Sequence, residues 1–485
     1  MKHWVLSAIV VTVTGGGLFA QSEVERFERQ LETIRREQRR MIDESIPADQ
    51  RALFEYGGLY SLNFLSVPDQ DADSHLLWQN DLRGYARLNF DGVHEFLTRV
   101  RTTYRTFNDG DGFGSTGDVD WVEPTLDRGY YRFDYQRYLS AYEGIESDQT
   151  LTITAGRQLV HWANGLVLSK DLDALFLVTG HENLTVDLLM GITRRSITDI
   201  DNSRPKFDDE TRRLFVGGKV NYRIGNHQPY IYGLVQDDHN PDDINSVTIN
   251  NNVGVVTANT AFEYNSYYIG VGSRGNIGDN LLYGVEFAYQ GGSGLSRSFN
   301  FSDLSLVNQT EEDIAAYAFD VRLDYLLHDA NHTRFVGEIT VASGDDDRDG
   351  HTTNTIGGNK PGTTDTAFNA FGFVNSSLAF APNVSNLIIT RLGVTTQPMP
   401  ESRTFKHLQL GTDVFVFNRT DSGAPIDEPV GSGNYLGFET DVYANWRVTS
   451  DLSLGVRYGV FFPGDAIETT KSARQFFYSG FTIGF

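Results

Sequence analysis

From residue 54 to the last residue the chain obeys one rule. Apolar or aromatic residues alternate with polar ones in stretches of about ten, separated by Asn, Asp and Gly. Residues 76–90 show it: Trp78, Leu82, Ala86, Leu88 and Phe90 share one face, and Gln79, Asp81, Arg83, Tyr85, Arg87 and Asn89 share the other. Asp91-Gly92 then supplies a tight hairpin turn. In the next stretch Phe96, Val100 and Tyr104 face one way, and Arg99, Arg101 and Arg105 the other. Further copies occupy 214–224, 281–289, 317–325 and 405–417. A period of two is the period of strands, so an all-β chain is expected and a bundle of membrane helices is excluded.

Strands of this length with one apolar and one charge-bearing face are what a single large antiparallel transmembrane barrel requires. Lipid forbids open sheet edges, while a wide lumen holds water. Soluble β-sandwiches would alternate in the same way, so the decision rests on two further features. Aromatic residues gather at strand ends, where the two membrane interfaces lie. The chain also stops on Phe485, with Ile483, Phe481 and Phe477 at the same parity, a pattern resembling the terminal strand through which the barrel-assembly machinery handles outer-membrane barrels. Connections alternate in length as well. Asp91-Gly92, Gly225-Asn226 and Thr449-Ser450-Asp451 are short turns, whereas 108–124, 237–265, 299–313 and 344–369 are long, polar and acidic.

Those loops bear on the charge. Lys+Arg number 40 against Asp+Glu 64, a net of −24, which argues against a nucleic-acid partner. Much of the excess sits in the loops, at Asp109, Asp111, Asp118, Asp120, Asp237, Asp238, Asp242, Asp243, Asp345, Asp346, Asp347 and Asp349, and is expected to describe the rim more than the pore. Cysteine is absent, which removes disulfides and thiolate metal sites.

The amino-terminal residues have a different texture. Lys2, a nearly unbroken apolar run over 4–13, a Gly15-Gly16-Gly17 break and Ala20 read as a signal peptide over 1–20. Residues 21–47 read as a charged amphipathic helix. Val24, Phe27, Leu31, Ile34 and Met41 fall at heptad-like spacing, and Pro47 ends it. Packing on the barrel and homo-oligomerisation are both open for this helix. The barrel itself is expected over 54–485.

Several ordered segments resemble the alginate export family. They are Gly156-Arg157-Gln158 with Gly165-Leu166-Val167; Tyr283-Gly284-Val285-Glu286-Phe287-Ala288-Tyr289-Gln290; and Ala342-Ser343-Gly344-Asp345, opening a loop that reaches Phe368-Asn369-Ala370-Phe371. Asn386-Leu387, Arg391-Leu392-Gly393, Pro398, Leu436-Gly437-Phe438-Glu439-Thr440-Asp441 and Phe461-Phe462-Pro463-Gly464-Asp465 complete the set. The resemblance implies an outer-membrane barrel of about eighteen strands that passes an acidic exopolysaccharide.

Strand parity selects the residues of the path. Arg83, Arg87, Arg99, Arg101, Arg105, Arg128 and Arg132 come from three successive strands and fall on the polar face; Lys219, Arg223 and Arg322 join them farther along. Guanidinium pairs with carboxylate in a planar, bidentate way, so such a ladder offers an anionic saccharide many exchangeable sites. The same arginines could instead be neutralised by lumenal Asp81, Asp134, Glu286, Asp320 and Asp324, which would leave a general small-solute porin. Strict alternation from Ile153 places Arg157 on the lipid side, so a bulge or strand end is expected there.

Catalytic motifs are absent: no G-x-S-x-G, H-E-x-x-H or P-loop occurs, and His94, His161, His181 and His239 are scattered, so no enzyme is expected. No cofactor is expected either, beyond a loosely held Ca²⁺. Asp345, Asp347 and Asp349 followed by Gly350 copy the first half of a calcium loop, but Ile356 stands where the bidentate Glu belongs.

Overall fold

The computed structural model describes residues 11–14, 52–108, 111–112, 119–241, 244–251, 254–352 and 355–485. The signal peptide over 1–20, apart from 11–14, and the helix over 21–47 lie outside the described residues. Eighteen antiparallel strands close into one barrel. In chain order they are β1 (Ala52–Pro68), β2 (Ser74–Phe90), β3 (His94–Phe107), β4 (Val119–Asp134), β5 (Gln149–His161), β6 (Ser169–His181), β7 (Leu184–Thr193), β8 (Arg213–Tyr222) and β9 (His227–Asp238). The second half comprises β10 (Tyr264–Ile277), β11 (Leu281–Leu295), β12 (Glu311–Leu326), β13 (Arg334–Ala342), β14 (Leu387–Thr396), β15 (Leu408–Asn418), β16 (Tyr435–Arg447), β17 (Leu452–Pro463) and β18 (Arg474–Gly484).

Each strand pairs with its neighbour in sequence, and β18 returns to β1 from Leu59↔Gly484 to Ser66↔Phe477. Phe485 completes the seal: its N–H donates to the Gly58 carbonyl at 3.0 Å and its carbonyl accepts from the Gly58 N–H at 2.8 Å. No sheet edge is left facing lipid along that join. The alternation reads out as two faces. Leu82, Val100, Leu188, Ile192, Ile231 and Val271 are exposed on the outside, while Asp81, Glu95, Asp187, Gln236 and Gln290 are buried inside.

Short turns share one rim. Asp91, Gly92, Gly225 and Gly278 take up positive φ there, the conformation a two- or three-residue reversal needs. The long connections share the other rim. The expectation of a loop through residue 124 is corrected, because β4 already begins at Val119 and contains Pro124. The β4–β5 turn carries the described helical residues, one turn over Tyr135–Tyr138 continued by a π-helical turn over Leu139–Glu143; the Asp134 side chain accepts from the Arg137 N–H. Within the β9–β10 connection, Asn245–Asn251 and Gly254–Thr260 form a hairpin, and Val11–Thr14 pairs parallel to its first strand.

Candidate functional site: a loop across the lumen and a wall of arginines

The longest connection, residues 343–386 between β13 and β14, does not arch over the rim. It enters the barrel. Its stem closes on Ser343, whose N–H donates to the Tyr317 carbonyl at 2.9 Å and whose carbonyl accepts from Phe368 and Asn386 at 3.1 and 3.0 Å. Its middle is fastened to the β5–β6 connection: Ser169 N–H donates to the Phe371 carbonyl and Phe373 N–H to the Gly165 carbonyl, both at 2.8 Å. Gln290 accepts from the Asn369 N–H at 2.8 Å, and Tyr268 donates to the Asn369 carbonyl at 2.6 Å.

On the opposite wall the Glu439 carboxylate is surrounded by donors from the same loop, the N–H groups of Leu378, Ala379 and Phe380 at 2.9, 2.5 and 2.8 Å and Ser377 Oγ at 2.8 Å. Phe380 stacks flat on Phe461 at 4.3 Å between centroids and meets Phe417 edge-on at 5.0 Å. A second buried carboxylate, Glu286, plays the matching part for the β5–β6 connection. It accepts from Asn164 N–H at 2.8 Å and from the Tyr232 and Tyr230 hydroxyls at 2.6 and 3.4 Å. A buried carboxylate with this many donors holds its segment firmly, because losing the contact strands a charge in a low-dielectric interior.

Residues that the sequence marked only as parts of a pattern are those that hold this loop: Gln290, Ser343, Phe368, Asn369, Phe371, Asn386, Glu439 and Phe461. A local signal was also present. Stretches such as Val414-Phe415-Val416-Phe417 and Phe476-Phe477-Tyr478 are apolar on both parities, which fits strands facing lipid outside and a packed loop inside.

The acidic loops are accordingly not confined to the rim. Asp345 is buried, and its carboxyl accepts from the Asp347 N–H at 2.9 Å. Asp365 pairs with buried Arg348, and Asp199 with Arg204 at 2.9 Å and Arg213 at 2.5 Å. The three carboxylates of the calcium-loop pattern part company. Asp347 pairs with Lys360 at 3.1 Å, and Asp349 with Arg297. The carboxylates close enough to share an ion are those of Asp345, Asp346 and Asp347.

Four to six strands around the wall from the Glu439 anchor, through β17, β18 and β1, strands β2, β3 and β4 present the arginines. Arg83 and Arg101 share Asp81 at 2.8 and 2.6 Å. Arg87 reaches Glu95 at 2.9 Å and Glu55 at 3.5 Å, and Arg132 approaches the same Glu95 at 3.9 Å. Arg99 Nε donates to Asp127 at 2.7 Å, and Arg128 stands 3.9 Å from Asp171. Arg105 lies opposite Asp120 in the β3–β4 register. The partners expected at Asp134, Glu286 and Asp320 are corrected: Asp134 caps the short helix, Glu286 holds the β5–β6 connection, and Asp320 accepts from Thr340 at 2.7 Å. Two carboxylates thus serve two guanidiniums each, and buried donors remain without a hydrogen bond, Nε of Arg87 and Arg128 and Nη2 of Arg101. A cavity of about 470 Å³ lies beside Arg132, between Thr152, Thr154 and Gln158 of β5 and Phe176 and Val178 of β6.

The remaining cations are placed differently. Lys219 faces inward but is paired with Asp187 at 2.8 Å and lies over the Trp162 ring. Arg322 pairs with Asp324 at 2.9 Å. Arg223 is corrected: it follows the end of β8 and is exposed in the short turn before β9, outside the lumen wall. Arg157 keeps the outward parity that alternation assigns, and the ladder with β4 ends at its pair with Gly129. At the carboxyl terminus Phe481 packs on Tyr60 at 6.3 Å, and Ile483 and Phe485 are exposed on the outer face.

A closed eighteen-strand barrel with a lipid-exposed apolar exterior, a polar interior and one loop folded into the lumen defines an outer-membrane porin-type channel of the Gram-negative cell envelope. Residues 191–478 match the family model described as "Alginate export", and the chain belongs to that family. Among solved structures it is similar to Acinetobacter baumannii OccAB1, at 11% identity and a TM-score of 0.52 over 89% of this chain and 96% of that one. It is also similar to Pseudomonas aeruginosa OccK5 (OpdH), at 10% identity and a TM-score of 0.51 over 89% and 98%. No curated protein matches the chain.

Proposed function

We propose that the barrel passes anionic saccharides, uronate-containing polymers or oligomers, along the arginine face of β2, β3 and β4. The observation that carries this reading is the sharing of Asp81 and Glu95 between pairs of arginines, with donors of Arg87, Arg101 and Arg128 left unfilled. A row of partly satisfied guanidiniums binds carboxylates weakly and repeatedly, as transport requires. The low-dielectric wall focuses their field, while acids in the wetted rim are screened beyond ~10 Å at moderate salt. Membership of the alginate export family supports the cargo class. The row Phe481, Ile483 and Phe485 is proposed as the segment recognised by the barrel-assembly machinery. Deleting Phe485 should block insertion while leaving secretion intact.

Planar-bilayer recordings test the cargo. The wild-type pore should prefer anions and be blocked reversibly by oligouronates, more strongly at low salt. Replacing Arg99, Arg101 and Arg105 together by Gln removes three charges and leaves Asp81 and Asp127 less compensated, so anion preference should fall or invert and the block weaken. Unchanged selectivity would favour a general small-solute porin.

A further inference from the structure

The barrel wall is not equally knitted all round. β4 and β5 pair over six residue pairs, from Asp134↔Thr152 to Gly129↔Arg157, fewer than any other described neighbours in the wall. Both strands then continue toward the long-loop rim without each other. β4 stays on β3 as far as Thr106↔Val119, and β5 stays on β6 as far as His161↔Ser169. Two sequence features part them. Pro124 has no N–H to offer, and the β3–β4 register shifts at Arg99/Val100 and again at Arg101/Thr103.

Charges occupy the parted seam. Arg157 grips Asp173 with two bonds of 2.7 Å and donates through Nη1 to the Leu126 carbonyl at 2.8 Å, tying β5 and β6 to the free stretch of β4. Arg128 stands 3.9 Å from Asp171. Arg194, just beyond the end of β7, is half-buried and close enough to Arg157 and Asp171 to sense both, yet it makes no ion pair among the described residues; Nη2 donates only to Ser196 Oγ at 2.8 Å. Parity sets the direction of the Arg157–Asp173 pair, which continues the outward row of Ala155 and the exposed Leu175. Arg194 follows the last exposed residues of β7, Met190 and Ile192, and stands beside that pair at the edge of the lipid-facing apolar residues.

We infer that the seam between β4 and β5 is a binding site for the phosphorylated headgroup of an outer-leaflet glycolipid, held by Arg157 and Arg194 with its acyl chains on the apolar rows below. On this face Arg157 is already paired with Asp173, whereas Arg194 makes no ion pair among the described residues, and a phosphate supplies the acceptors that Arg194 lacks. Burial, with Arg157 and Arg101 nearby, lowers the Arg194 pKa, a field that an arriving anion relieves. The apolar rows favour a lipid over a free anion, since a headgroup and its chains fill both parts of the surface at once.

The test uses the purified full-length barrel in detergent, titrated with bisphosphorylated lipid A, with the same lipid dephosphorylated, and with inorganic phosphate. Binding is read by native mass spectrometry and by melting temperature. The bisphosphorylated lipid should bind and raise the melting temperature, and the other two should do neither. Arg194→Gln should weaken that binding roughly tenfold, the equivalent of one charge-assisted contact. Arg157→Gln should do the same. Arg403→Gln, which removes a charge from the opposite rim, should change nothing. Equal binding of the dephosphorylated lipid, or unaltered affinity in Arg194→Gln, overturns the inference. Free phosphate acting as well as the lipid overturns its lipid source. If Arg157→Gln does not assemble, Arg194→Gln decides alone, because that side chain holds no strand to its neighbour.

Discussion

The two sides of the lumen use the same alternating strands for opposite ends. On β2, β3 and β4 the inward row carries arginines that share the carboxylates of Asp81 and Glu95, and a cavity lies beside them. On β14, β15, β16, β17 and β18 the inward row includes Ile389, Phe415, Phe417, Phe461 and Phe476, all buried under the loop that crosses the barrel. One side is built to be wetted and exchanged over, the other to be filled. A barrel this wide would be an open aqueous pore if every inner face were polar. The packed side converts it into a narrower path, and it places that path against the arginines.

Breaking the anchor should have the largest effect. Glu439→Ala leaves four donors from residues 377–380 without an acceptor, a loss of about 3–5 kcal/mol for a buried charged contact. The loop should come free, with single-channel conductance rising several-fold and becoming noisy, and the wetted side should lose its selectivity to the larger pore. Unchanged conductance would mean that the loop is held elsewhere.

Next comes Phe380→Ala, which removes the ring stacked on Phe461 and should cost about 3–5 kcal/mol if the site cannot collapse. Because Glu439 keeps its donors, we expect brief openings rather than a permanent one, together with faster hydrogen exchange over 377–381. The converse experiment sharpens the contrast. Arg87→Gln on the wetted side should alter anion preference while lowering the melting temperature far less than Glu439→Ala does, since the buried Glu95 keeps the Tyr130 hydroxyl at 2.9 Å and Arg132 at 3.9 Å.

The smallest effect is a pH response of the loop itself. Burial next to Arg348 pushes His351 down to about 4, so the folded loop holds this ring neutral, and stability is lost as pH falls from 6.5 through 4. Burial and the neighbouring Asp365 push Asp345 up to about 6, so its contribution runs the other way: it is present at low pH and lost as pH rises from 3.8 through 6. The two oppose each other across much the same window and should nearly cancel. Asp345→Asn exposes the histidine alone. Hydrogen exchange over 343–352 should then accelerate as pH falls from 6.5 to 4, with at most about 3 kcal/mol at stake. A variant as insensitive to pH as the wild type would assign the loop's stability to other groups.

The alternation at 76–90 and at 94–107 made the wall legible, because a strand's two faces are set by a period that local sequence carries without help from distant residues. The terminal row at Phe477, Phe481, Ile483 and Phe485 marked the closing strand for the same reason. Arg157 was legible in parity but not in role: its place at the end of the β4–β5 ladder depends on a register shift produced by strands three and four. The loop over 344–369 reads as a polar rim because its many Asp, Asn, Gly and Thr residues suit solvent equally well. Only the donors that the 343–386 connection brings to Glu439 and Gln290, side chains distant in sequence, show that it folds inward.

The sequence alone therefore determined the barrel, its two faces, its acidic loops and the arginine rows, all of which follow from local periodicity and side-chain chemistry. Tertiary structure decided which acid pairs with which arginine, where the wall parts and which loop fills the lumen. Each of these is settled by distances across strands and across the pore, and no spacing along the chain encodes them.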